Sequence, residues 1–134
     1  MIATFLMLCA MVTHDARIEL RNAPTTVNLN LGGARAKVLA VARDPKRHLM
    51  LHVEGISVQG EVGMWEVRVG DRVAGTLSTY GAEEAKGKYA VSVVMDEAVE
   101  RALRGGAKTL GITFAPTARV SGTIRFTRLR LVGE

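Results

Sequence analysis

From Arg17 onward the chain alternates apolar and polar residues in short runs, and Gly, Asp and Pro interrupt those runs at close intervals. A period of two places one set of side chains on each face of an extended strand, so this pattern commits the chain to antiparallel β-structure. Val27, Leu29 and Leu31 alternate with Asn28 and Asn30. After Gly32-Gly33 the segment Ala36 to Ala42 reads as a second strand. Asp44-Pro45-Lys46 forms a turn, because proline fixes φ and aspartate can bond its own backbone, and a strand from His48 follows with Leu49, Leu51 and Val53 on one face, ending at Glu54-Gly55. Trp65 to Ala74 reads as a hairpin whose two-residue turn is Gly70-Asp71.

Tyr89, Val91, Val93 and Met95 alternate in the next strand. Asp96 then stands where a helix N-cap is expected. Glu97 and Glu100 suit the start of a helix through Leu103, Arg101 and Arg104 suit its end, and Gly105-Gly106 supplies a left-handed stop. Leu110, Ile112 and Phe114 alternate up to Pro116, and the chain closes with a strand from Thr123 to Val132. The apolar positions there change parity between Phe126 and Leu129, which predicts a bulge near Thr127. Six to eight strands with one short helix near 96–104 point to a β-sandwich or a distorted barrel, with an all-β, jelly-roll-like antiparallel sandwich preferred, since each alternating face needs a second sheet to bury against. A parallel α/β fold is excluded by the lack of crossover helices.

The 134 residues suffice for one core, with residues 17–134 as a single sandwich domain and 1–16 as an apolar N-terminal segment. The run Ile2 to Val12 is too short to span a bilayer. It has the length of an export signal but lacks the charged leader and a small-x-small cleavage pattern. A linker, a first strand, or a start codon inside a longer reading frame explains it equally, so localisation is left open.

Aromatic residues make up 4% of the chain, which disfavours stacking platforms for bases. The net charge of +5 is scattered apart from Lys46-Arg47 and Arg125, Arg128 and Arg130, so no nucleic-acid partner is expected. Cys9 is the single cysteine, which rules out an internal disulfide and a cysteine-based zinc site. His48 and His52 have an H-x-x-x-H spacing, but in a strand their Cβ atoms stand about 13 Å apart, too far to share one metal ion. They are weak metal candidates, better read as surface histidines. Ser57, Ser78, Ser92 and Ser121 lack a nucleophile elbow, and the pairs Glu83-Glu84 and Glu97/Glu100 read as a solvated loop and a helix start. The glycine-rich stretches at 32–33, 60–63 and 105–106 lack the strand-loop-helix setting of a phosphate cradle. No catalytic residue is assigned.

The segments VEGI (53–56), WEVRVG (65–70), AGTLSTYG (74–81), DEAVERAL (96–103), TLGITFAP (109–116) and GTIRFTRLRL (122–131) occur in an order that resembles the C-terminal domain of polyphenol oxidases and tyrosinases. The resemblance rests on Gly55, Ile56, Trp65, Val67, Val69, Ala74, Gly75, Leu77, Asp96, Phe114 and Pro116. Trp65 stands where that family commonly has Phe, and Ala74-Gly75-Thr76-Leu77 looks like its A-G-S-F element. The resemblance implies a non-catalytic cap that shields or assists a tyrosinase-like catalytic core, in cis or in trans, with copper held by that core and no cofactor in this chain. A dicopper site takes six histidines on a helical core, and this chain has three histidines, so oxidase activity does not transfer to it. The alternatives are a free-standing sandwich that binds an unrelated protein or small ligand and, less favoured, a cofactor-independent enzyme using Glu54, Glu61 or Glu66.

Overall fold

A computed structural model of the chain describes residues 9–60, 63–78, 89–117 and 122–134. Glu61, Glu83, Glu84, Ser121 and the start of the apolar N-terminal run therefore lie outside the described residues. The described residues form eight strands, β1 (Cys9–Leu20), β2 (Thr25–Asn30), β3 (Leu49–Gln59), β4 (Met64–Val69), β5 (Arg72–Ser78), β6 (Tyr89–Val94), β7 (Thr109–Pro116) and β8 (Thr123–Gly133). They form two four-stranded sheets, ordered β1-β8-β3-β6 and β2-β7-β4-β5. Strand β1 pairs with β8, β2 with β7, β3 with β6 and β4 with β5, all antiparallel. That nesting is one long hairpin rolled across two sheets, which is the jelly roll expected from the alternation.

The core follows from the period of two. Val27 and Leu29 of β2, Leu49, Leu51 and Val53 of β3, Trp65, Val67 and Val69 of β4, and Leu110, Ile112 and Phe114 of β7 point between the sheets and are buried. Phe114 and Phe126 meet across the sheets with ring centroids 5.2 Å apart and planes tilted by 53°, an arrangement that aromatic quadrupoles favour. The hairpin forms as expected: Gly70, at φ 58°, and Asp71 link Val69 to its partner Arg72.

Two expectations about strands are corrected. Ala36 to Ala42 lies in a helix, α1 (Arg35–Arg43), so the described residues hold an α-helix besides α2 (Asp96–Leu103). The sequence RAKVLAVAR consists largely of good helix formers. Val38 and Val41, one turn apart, bury against the core while Ala36, Lys37 and Ala40 face outward. Arg35 ties the helix down by donating from Nε to Ala107 O at 2.8 Å and from Nη2 to Leu103 O at 2.6 Å. Strand β3 also does not end at Glu54-Gly55 but runs on to Gln59.

The continuation of β3 depends on a fault line across its sheet. Gly55 has φ 70°, and the β3–β6 register shifts there. Ala16 and Arg17 are left over in β1 between the pairs Asp15–Arg128 and Ile18–Phe126. Strand β8 changes its buried parity at the same level, between Phe126 and Leu129, with Thr127 and Arg128 exposed. The bulge expected near Thr127 is thus shared by three strands. A Cβ at residue 55 would collide with Oγ1 of Thr127, so glycine is needed both for its backbone angle and for the close approach.

Candidate functional site

The residues that carry the family resemblance mostly build the sandwich. Ile56, Trp65, Val67, Val69, Leu77 and Phe114 lie in the core. Pro116 ends β7 opposite Trp65, and Ala74 is the extra residue of a bulge in β5 opposite Val67 and Arg68. At Gly75 a Cβ would stand 2.6 Å from Cγ1 of Val93, so the glycine lets the edges of the two sheets, β5 and β6, approach each other.

Asp96 does not cap its helix; Met95 holds the N-cap position, without a side-chain cap bond. The Asp96 carboxylate turns to β3, where its Oδ1 accepts the Leu49 N–H at 2.5 Å and its Oδ2 lies 3.0 Å from His48 Nδ1. It thereby fixes the start of an inner strand to the start of α2. Losing one partner of a half-buried charged hydrogen bond costs about 1–3 kcal/mol, so Asp96→Ala is expected to lower stability to urea by that amount. A change of only a few tenths of a kcal/mol in the unfolding midpoint would contradict this role.

His48 and His52 are not brought together on a ligand. His48 is exposed and held by Asp96, whereas His52 sits on the outer face of β3 between Arg130 of β8 and Ser92 of β6. The His52 Nε2 atom is buried without a hydrogen-bond partner, and the cationic neighbour Arg130 opposes a bound metal ion. His14 lies on β1 opposite Leu129. Among the described residues no three His, Cys, Asp or Glu side chains gather as a metal site, so these residues do not fit copper. Glu54 and Glu66 do not form an acid–base pair either: Glu54 bonds Arg130 and Glu66 bonds Arg68. Among the described residues, no helix is long and apolar enough to cross a membrane.

The two outer faces differ in character. On the β1-β8-β3-β6 sheet, Arg125, Arg128 and Arg130 form a ladder in which each arginine meets a carboxylate: Glu19 at 3.5 Å, Asp15 at 2.5 Å and Glu54 at 2.5 Å. The basic cluster seen in the sequence is therefore neutralised within the sheet. The outer face of the other sheet is mostly uncharged, with Thr26, Asn28 and Asn30 on β2 beside Thr109, Gly111 and Thr113 on β7. Hydrogen bonding from Arg21, helped by Arg125, holds the Glu19 carboxyl below its ordinary value of 4.5, and Arg104, helped by Arg43, does the same for Glu100. A carboxylate with a lowered folded pKa stabilises the fold above the unfolded value and loses that contribution as pH falls through the folded value. The urea midpoint is accordingly expected to fall as the pH drops below the ordinary carboxylate value of 4.5, and less steeply for Glu100→Gln. An identical pH profile for the two proteins would count against it.

Helix α1, β1 and the turn before β3 leave an open groove of about 650 Å³ lined by Met11, Ala34, Lys37, Ala40, Val41 and Arg47. A second, of about 330 Å³, lies between β5, β6 and α2, with Val73 and Val94 exposed beside the Arg72–Glu97 ion pair. The first groove was not foreseen from the sequence.

No family model matches the chain, and no curated protein matches it. Solved structures do. Latent apple tyrosinase matches 88% of this chain at 12% identity with a TM-score of 0.58, over 27% of its own length. Latent aurone synthase, a polyphenol oxidase, from its natural source matches 85% of the chain at 15% identity and a TM-score of 0.57, over 25% of its length. The recombinantly expressed enzyme gives 87%, 15% and 0.58, over 26%. This chain has the fold of one portion of the latent polyphenol oxidases. It spans about a quarter of the length of those structures, and at this identity the likeness establishes the fold.

Proposed function

We propose that this chain is a non-catalytic domain that covers or assists the dicopper core of a tyrosinase-like phenol oxidase, in cis or in trans. One observation carries the reading: nearly the whole sandwich matches a quarter-length portion of latent polyphenol oxidases. The ordered motifs from Val53 to Leu131 fit the reading, and their Gly55, Trp65 and Gly75 hold structural positions in this sandwich. The chemistry belongs to the partner. Copper held by the core's own histidines would oxidise the phenol, while this chain excludes substrate by occupying the surface above the core. Such a cap acts by mass action and needs no reactive group of its own.

The experiment is co-purification. The tyrosinase-like core from the same organism, expressed as a separate chain, is expected to retain this domain on a column. Retention by unrelated proteins with none by the core would refute the reading and favour a free-standing binding module.

A further inference from the structure

We propose that the groove beside α1 is where this domain grips its partner, and that it receives an acidic segment of the oxidase core with apolar side chains flanking the carboxylate. The inference rests on the reading above and adds the surface and its chemistry.

Three separate parts of the chain build the groove. Met11 comes from β1, Ala34, Lys37, Ala40 and Val41 come from α1 and the turn before it, and Arg47 comes from the turn before β3. They converge over Gly133 at the end of β8. Measured from the point a Cβ on Gly133 would occupy, Arg47 Nη2 is 2.9 Å away, Val41 Cγ2 3.2 Å and Met11 Sδ 3.4 Å. Any larger residue at 133 would displace these groups, so the glycine lets the three parts of the groove meet.

The charge there is unbalanced. Several arginines elsewhere are paired with local acids: Arg43 with Glu100, Arg128 with Asp15 and Arg130 with Glu54. Among the described residues neither Lys37 nor Arg47 has a carboxylate partner, although both line the groove. A guanidinium and an ammonium flanking an apolar floor complement a carboxylate carried beside apolar groups, and Arg can take it bidentately. The groove is open, whereas a small-ligand pocket encloses most of its ligand; an extended or helical segment of a protein fits it better. On the outer face of the β1-β8-β3-β6 sheet, by contrast, Arg125, Arg128 and Arg130 each already meet a carboxylate.

The test uses the double variant Lys37→Glu/Arg47→Glu, whose two side chains are exposed, so the fold is retained and checked by circular dichroism. Binding to the separately expressed oxidase core is measured at about 0.03 M and about 0.3 M salt. The wild-type chain is expected to bind and to weaken with salt, and the double variant to bind at least about tenfold more weakly. Equal binding by both proteins would overturn the groove while leaving the cap intact. No binding by the wild type would overturn both. If instead light scattering shows a concentration-dependent dimer that the double variant abolishes, the occupant is a second copy of this chain and the assignment to the core is wrong.

Discussion

Trp65→Ala is expected to cost about 3–5 kcal/mol and to lower the melting temperature by about 10–20 °C. Trp65 is 1% exposed and is the largest of the fully buried side chains. It stands on β4 between Leu77 of β5 and Pro116 of β7, where its removal opens a hole in the middle of one sheet. Its indole N–H also reaches Arg21 O at 3.4 Å, joining the hairpin to the turn between β1 and β2. A domain of this size has about 5–15 kcal/mol of stability in all, so the variant sits near the edge of folding. Since Trp65 is the single tryptophan, unfolding must be followed by circular dichroism. Trp65→Phe, which keeps most of the ring volume and matches the residue common in polyphenol oxidases, should recover more than half of the loss. A loss below about 1 kcal/mol for the alanine variant would mean that Trp65 is not seated in the core.

The second large effect is at Gly55. Gly55→Ala imposes a left-handed backbone on a residue with a Cβ, at about 1–2 kcal/mol, and drives that Cβ into Thr127, at about 1–3 kcal/mol for overpacking. Together these predict a loss of about 2–5 kcal/mol. The two contributions separate in a cycle with Thr127→Gly: in that background the collision disappears and the cost should fall to the backbone share. Urea unfolding of the four proteins reads the cycle. Purely additive losses would show that residue 127 does not press on residue 55 and that the shared bulge is drawn wrongly.

The alternating strands were legible because burial enforces the period directly: β2, the β4–β5 hairpin, β6 and β7 each show it without ambiguity. The helix α1 was not. Between Ala36 and Ala42 nearly every residue is apolar, so periods of 2 and 3.6 fit about equally well. The deciding bonds run from Arg35 to Leu103 and Ala107, 68 and 72 residues away. Asp96 is ambiguous for a related reason, since a carboxylate at a helix start serves equally as its cap or as the acceptor for another strand, here for Leu49. The end of β3 was placed too early because Gly55 looks like a stop when it is a bulge. At the functional level, the sequence separated His48 from His52 by simple strand geometry. The groove was invisible because Met11, Lys37 and Arg47 become neighbours only once β1, α1 and the turn before β3 meet beside β8.

The most direct test of the cap is steady-state phenol oxidation by the separate tyrosinase-like core as this chain is titrated in. Turnover should fall with the fraction of core bound, to about a tenth when the free chain exceeds its dissociation constant about tenfold. Turnover that stays unchanged while the core is saturated with bound chain would contradict the account.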